Sequence, residues 1–297
     1  MKELGRLITA MVTPFKDNGE VDYEQAKKLA LALLDSGSDG VLLAGTTGES
    51  PTLIRKEEHR LFTEVKEAVG QRGSIVAGTG SNSTAEAMSA TKEAEQIGVD
   101  ACLLVVPYYN KPSQEGLYQH FSTIARSTSL PCILYNVPSR TVANLAPETV
   151  VRLSQIDNII GVKEASGNME QIASIISNAS KGFLVWSGND GDTFPLMALG
   201  GYGVISVTSH LVGAQTKKMV ELTAGGQVAE AAAIHRHLLP LVKAMFLVAN
   251  PCPLKYALNH IGFRVGNPRL PLVPPDEKTA EIIRDTLQKF KLDLPVT

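Results

Sequence analysis

Cys132-Ile-Leu-Tyr135 and Ile159-Ile-Gly-Val162 are short apolar runs whose starts lie 27 residues apart, and Pro147-Glu148-Thr149 stands between them. A run that is apolar on both faces suits a strand of a parallel sheet covered by helices. Proline in a first helical turn is a start signal, because the N–H it lacks has no intrahelical partner there. One strand–helix–strand unit is therefore legible, and the chain repeats it. Similar runs occupy 7–12, 41–44, 75–77, 101–106, 183–186 and 204–207. Helical periodicity fills the intervals. One helix starts at Asp22 and ends at Ser36-Gly37. Another opens at Ser83, with Glu86 three residues on, as a capping box requires.

Eight such runs alternating with helices predict an α/β fold, the (β/α)8 TIM barrel. A doubly wound open sheet is the competing architecture. It usually carries a glycine-rich phosphate loop after its first strand, and Val12-Thr13-Pro14-Phe15 is not one. One helix after the eighth run completes a catalytic barrel over 1–226. Residues 227–297 are then a carboxy-terminal helical domain, punctuated by Gly225-Gly226, Asn250-Pro-Cys-Pro and Pro271-Leu-Val-Pro-Pro.

Composition narrows the class of function. With 28 Lys+Arg against 30 Asp+Glu, the net charge of −2 argues against a nucleic-acid footprint, which shows as a clustered basic surplus. A hydrophobic content of 44%, evenly spread, argues against disorder. The three cysteines, Cys102, Cys132 and Cys252, have no metal-knuckle spacing, and Cys102 and Cys132, inside apolar runs, read as buried reduced thiols. The amino terminus has one short apolar run ended by Pro14, too short for a signal-peptide core. No stretch reaches about 18 apolar residues, the length a membrane helix needs. These features predict a cytoplasmic protein without membrane partners.

In such a barrel the carboxyl ends of the strands carry the chemistry. The polar residues at those positions are Gly45-Thr46-Thr47-Gly48-Glu49-Ser50, Pro107-Tyr108-Tyr109-Asn110, Tyr135 through Thr141, Lys163-Glu164-Ala165-Ser166 and Ser187-Gly188-Asn189-Asp190. Lys163 follows a buried run directly. Desolvation lowers the pKa of such an amine, and a neutral amine attacks a carbonyl to form a Schiff base. The competing reading of Lys163 is a buried ion pair with Glu164. Tyr135, one strand earlier, is placed to move protons, with Thr46 and Tyr109 as a relay to water. An unperturbed tyrosine is a poor base and needs hydrogen-bonded partners. Each tyrosine taken singly also reads as a buried aromatic with a satisfied hydroxyl. The amides and hydroxyls of Thr46-Thr47 suit a carboxylate, although simple turn chemistry accounts for them too. Arg140 reads as a bidentate carboxylate clamp or as a surface salt bridge. His235 and His237 are two apart on a helix and cannot share a face, so they are no metal pair. His59, His120, His210 and His260 read as surface or core-rim residues. Gly78-Thr79-Gly80 lacks the third glycine of a dinucleotide fingerprint. No metal and no organic cofactor is expected.

GTTGES (45–50), PYYNKPSQEGLYQHF (107–121), YNVPSRT (135–141), GVKEASGN (161–168), SGND from Ser187 and GGYGVISVTSH (200–210) together resemble the dihydrodipicolinate synthase family of pyruvate-dependent class I aldolases. The resemblance runs nearly end to end. It implies a lyase of diaminopimelate and lysine biosynthesis that condenses pyruvate with L-aspartate 4-semialdehyde, with Lys163 forming the Schiff base. It implies a proton relay of Thr46, Tyr135 and Tyr109, the last reaching in from a neighbouring subunit of a homotetramer. Thr47 would bind the pyruvate carboxylate, Arg140 the carboxylate of the second substrate, and Gly188 and Ile205 would line the pyruvate site. Sister families, the N-acetylneuraminate lyases and 2-keto-3-deoxy sugar-acid aldolases, share the lysine. The doubled threonine and Arg140 favour the synthase pattern over them. A non-catalytic barrel that binds a keto acid or amino acid reversibly is the reading from another class. Lysine-sensitive members bind lysine at positions matching Ser50, Pro51, Arg55, Glu58, Asn82, Glu86 and Tyr108. Pro51, Arg55 and Glu58 depart from that pattern, so weak or absent lysine inhibition is expected.

Overall fold

The computed structural model describes residues 3–295, so residues 1–2 and 296–297 of the two sequence-derived segments lie outside the described residues. Eight strands form one closed parallel barrel in sequence order, β1 pairing with both β2 and β8. They are β1 (Leu7–Ala10), β2 (Gly40–Leu43), β3 (Ser74–Gly78), β4 (Ala101–Val105), β5 (Cys132–Asn136), β6 (Ile159–Glu164), β7 (Leu184–Ser187) and β8 (Gly203–Ser206). Each expected strand is present, with ends shifted by up to two residues. The shifts have a simple cause. Ladder pairing is a backbone property, so β5 and β6 continue through the polar Tyr135-Asn136 and Lys163-Glu164. Lys163 is accordingly the penultimate residue of its strand, one short of the end expected for it.

The helices of the barrel are α1 (Tyr23–Asp35), α2 (Arg55–Val69), α3 (Thr84–Ile97), α4 (Gln114–Arg126), α5 (Pro138–Thr141), α6 (Pro147–Leu153), α7 (Met169–Asn178), α8 (Thr193–Ala198) and α9 (Ser209–Ala224). Asp22 caps α1 by accepting from the Gln25 N–H, and Ser83 caps α3 through the Glu86 N–H. The capping box at Ser83 is only half formed. The Glu86 carboxylate instead accepts from the Ser81 hydroxyl at 2.8 Å, which occupies it before it can return to the cap. Beyond the barrel follow α10 (Val228–Met245), α11 (Cys252–His260) and α12 (Glu277–Leu287). Among the described residues no helix is long and apolar enough to cross a membrane.

Side chains alternate across each strand, which divides the core in two. Ile8, Leu42, Val76, Leu103, Ile133, Trp186 and Ile205 fill the barrel interior. Leu104, Cys132, Leu134 and Val162 pack outward against the helices. Burying each large apolar side chain contributes about 1.5–3 kcal/mol. Gly161 permits the interior packing, because a Cβ there would lie 2.8 Å from Cζ3 of Trp186 and 2.3 Å from the Leu184 carbonyl oxygen. All three cysteines are buried thiols, and Sγ of Cys102 and Sγ of Cys132 are 3.5 Å apart across paired strands.

Two histidines depart from the surface or core-rim expectation. His210 is fully buried, its Nδ1 donating to the Val207 carbonyl at 2.8 Å and its Nε2 accepting from the Val12 N–H at 3.2 Å. It closes backbone groups at the top of β1 and β8 that strand pairing leaves free. His120 is buried on α4, with Nδ1 2.9 Å from the Thr84 hydroxyl. Burial lowers both imidazoles to a pKa of about 4 and keeps them neutral.

The carboxy-terminal segment is tied to the barrel by charge. Arg269 donates to both Glu57 carboxylate oxygens, at 2.8 and 2.6 Å, and to the carbonyls of Gly19 and Thr52 at 2.9 and 2.7 Å. The Lys255 ammonium meets Glu49 at 2.6 Å with both side chains fully buried. Lys255 also lies 4.0 Å from the centroid of the Phe15 ring, whose face attracts cations.

Candidate active site

A cavity of about 470 Å3 opens at the carboxyl ends of the strands, where Thr46, Tyr135, Arg140 and Asn250 line it. Register places the central pair. Tyr135 of β5 is opposite Lys163 of β6, and Lys163 is opposite Trp186 of β7, so all three point into the barrel. The Lys163 Nζ lies 4.3 Å from the centroid of the Tyr135 ring, and both residues are buried.

Burial lowers the Lys163 ammonium to a pKa of about 8, helped by Arg140 and opposed by Asp190. Asp190 accepts from the Ser206 and Thr208 hydroxyls and from the Val207 N–H, so its charge is fixed in direction. The sequence-based alternative for Lys163, an ion pair with Glu164, does not form. Glu164 is the next residue on the strand and faces the helices. There it accepts from Asn136 at 3.1 and 3.2 Å, from Gln171 at 3.2 Å and from the Ser166 N–H at 2.7 Å. Among the described residues Lys163 makes no ion pair, which leaves its amine free for chemistry.

Burial raises the Tyr135 hydroxyl, while Arg140 and a hydrogen bond with Thr46 pull it back. Tyr135 is therefore protonated at neutral pH and lines the cavity together with Thr46, which suits proton transfer. Arg140, on α5, is exposed and makes no ion pair among the described residues, so its fork of donors is open to a ligand. Thr47 is buried and its hydroxyl accepts from Asn250 Nδ2 at 2.9 Å. Gly188 abuts the lysine. A Cβ there would lie 2.7 Å from the Ala165 Cβ and 3.2 Å from Cε of Lys163. Ile205 is buried in the same interior layer.

Within a single chain Tyr109 is not part of this group. Tyr109 is 89% exposed and stands away from Lys163 within a single chain. It has a φ of +72°, in the left-handed region that bulky side chains rarely adopt. Such strain persists where the surroundings impose it, commonly at functional loops. Here Asn110 Nδ2 donates to the Asn82 carbonyl at 2.8 Å, and Asn82 Nδ2 donates to the Tyr108 carbonyl at 3.2 Å.

Sequence reading gave no role to Asn250, Glu49, Lys255 or Asp190. Asp190 stood inside a strand-end motif, so its position carried a signal. Asn250 meets Thr47 across 203 residues, and nothing local marks that contact. Among the described residues no group of three or more His, Cys, Asp or Glu is placed to hold a metal ion.

A buried lysine lowered to a pKa of about 8 near the carboxyl end of a barrel strand, against a tyrosine ring and in the field of an unpaired arginine, suits a Schiff-base-forming enzyme of the class I aldolase type, a lyase. The sequence model described as the Dihydrodipicolinate synthetase family matches residues 3–290. A relative from Dehalococcoides mccartyi, named 4-hydroxy-tetrahydrodipicolinate synthase, is 65% identical over 296 residues, covering 100% of both chains. A crystal structure of dihydrodipicolinate synthase from Bacillus anthracis matches with a TM-score of 0.95 at 43% identity, covering 98% of this chain and 100% of that one. A second, from Cyanidioschyzon merolae with lysine bound, matches with a TM-score of 0.95 at 46% identity over 96% and 98% of the two chains. The chain belongs to the dihydrodipicolinate synthetase family.

Proposed function

We propose that this chain condenses pyruvate with L-aspartate 4-semialdehyde to give 4-hydroxy-tetrahydrodipicolinate, a step toward diaminopimelate and lysine. The neutral Lys163 amine attacks C2 of pyruvate and water leaves, forming the imine. Loss of a C3 proton gives the enamine, whose C3 attacks the aldehyde carbon. The amine of the second substrate then attacks C2, closing the ring and releasing Lys163.

Each proton step has a carrier. Tyr135 exchanges protons with the carbinolamine, and Thr46 passes them toward Tyr109 of a neighbouring copy. The exposure and strained backbone of Tyr109 support that assignment, since both suit a side chain that packs into a second subunit of a homotetramer. The Thr46-Thr47 turn holds the pyruvate carboxylate, Gly188 and Ile205 shape the pocket around its methyl group, and Arg140 clamps the carboxylate of the aldehyde. The reaction needs no metal or organic cofactor and takes place in the cytoplasm. The catalytic unit is the barrel over 1–226, and 227–297 form a helical domain supporting it.

The observation that carries the reading is the Lys163 amine, at a pKa of about 8 and against the Tyr135 ring. Borohydride added with pyruvate should fix a covalent adduct on Lys163 and none in Lys163→Ala. Turnover with aspartate semialdehyde, N-acetylneuraminate and keto-deoxy sugar acids in competition decides the second substrate. Preference for a sugar acid, or trapping that survives Lys163→Ala, overturns the assignment.

A further inference from the structure

We propose that Asn250 is a positioning residue that aims the Thr47 hydroxyl hydrogen at the substrate carboxylate; the inference rests on the roles of Lys163 and Thr47 given above. A threonine hydroxyl has one hydrogen to donate and two lone pairs to accept with. Asn250 Nδ2 can only donate, and at 2.9 Å it occupies one lone pair of Thr47 Oγ1. The hydroxyl hydrogen is left to point elsewhere. Among the described residues Thr47 Oγ1 has no other hydrogen-bond partner, so that hydrogen is available to a carboxylate, which accepts and cannot donate.

Two further observations make this contact functional. The Asn250 Oδ1 atom is buried and has no partner among the described residues, while the residue itself lines the cavity. A buried amide whose acceptor oxygen is unmet costs free energy, so stability alone does not explain it. The loop that carries Thr47 is also held from the same part of the chain. Glu49 accepts from the Arg269 N–H at 2.9 Å and pairs with Lys255 at 2.6 Å. Residues 250–269 thus fix both the position of the turn and the direction of its donor.

Asn250→Asp is nearly isosteric and reverses the polarity of the contact. Its carboxylate would draw the Thr47 hydrogen toward itself and place a negative charge beside the substrate anion. Asn250→Ala removes the contact without reversing it. The readout is the half-saturating concentration for borohydride trapping on Lys163, measured with pyruvate and with methyl pyruvate, which lacks the anion. For pyruvate we expect a rise of about tenfold in Asn250→Ala and about a hundredfold in Asn250→Asp, the range for losing or opposing a charge-assisted hydrogen bond. Methyl pyruvate should change by less than about twofold in either. Asn250→Asp binding pyruvate as wild type does, or methyl pyruvate weakened as much as pyruvate, overturns the proposal, the second result marking a merely structural role. Absence of any adduct in the wild-type protein instead overturns the Schiff-base reading itself.

Discussion

The pH dependence of imine formation tests the Lys163 environment directly. Burial holds its ammonium at a pKa of about 8, against an ordinary value of 10.5. At pH 7 a pKa of 8 leaves about a tenth of the amine neutral, whereas 10.5 would leave about 0.03%, a gain of roughly 300-fold in nucleophile. The rate of borohydride trapping at limiting pyruvate, followed by intact-protein mass, should rise about tenfold per unit near pH 6–7 and level off near pH 8. A rate still climbing tenfold per unit through pH 9 would refute the reasoning. The same shift fixes the sign of a stability effect. The folded pKa lies below the unfolded one, so the unfolded chain binds more protons between about pH 8 and 10.5 and stability rises with pH across that window. The penalty is fully present below pH 8. Lys163→Met keeps the stem and removes the charge, so at pH 7 it should be more stable than wild type by up to about 3 kcal/mol, with the gap closing by pH 10.5. Chemical denaturation at the two pH values measures it.

Three other outcomes follow from contacts already described. Gly188→Ala should cost about 1–3 kcal/mol by overpacking against Ala165 and displace the Lys163 stem, slowing pyruvate trapping more than it lowers the thermal midpoint. Lys255→Met alone strands the Glu49 charge in the interior and should cost about 3–5 kcal/mol in urea unfolding, and adding Glu49→Gln should recover part of that loss. Lysine at micromolar concentration should leave turnover unchanged, because Glu58 already pairs with Arg55 at 3.1 Å and accepts from Ser50 at 2.8 Å; inhibition in that range would sink the expectation.

The fold was legible because a strand covered on both faces has to be apolar on both faces, and runs such as Ala101-Cys-Leu-Leu-Val-Val106 have few alternatives. The strand ends were not, since β6 pairs through Lys163-Glu164 by backbone alone. Lys163, Tyr135 and the Thr46-Thr47 turn were legible for a related reason. They are polar groups placed where apolar runs stop, and a barrel converts that position into proximity. Asn250, Lys255 and Arg269 were hidden because they act on Thr47, Glu49 and Glu57 from more than 200 positions away. His210 was misjudged because its bonds are to the backbone of Val12 and Val207, which leave no trace in side-chain pattern.

The contacts from residues 250–269 to the Thr47–Glu49 turn bear on how the protein is made. A nascent chain can close its barrel once β8, ending at Ser206, pairs with β1. Lys163 and Tyr135 are then already opposed. The Thr47–Glu49 turn is not tied down until Asn250 and Arg269 have left the ribosome, since domains fold as their sequence emerges. A chain stopped after its barrel would lack the Asn250 contact to Thr47 and the Lys255 and Arg269 contacts to Glu49. An immature product of translation would therefore have Lys163 and Tyr135 opposed while the Thr47–Glu49 turn still lacked these ties.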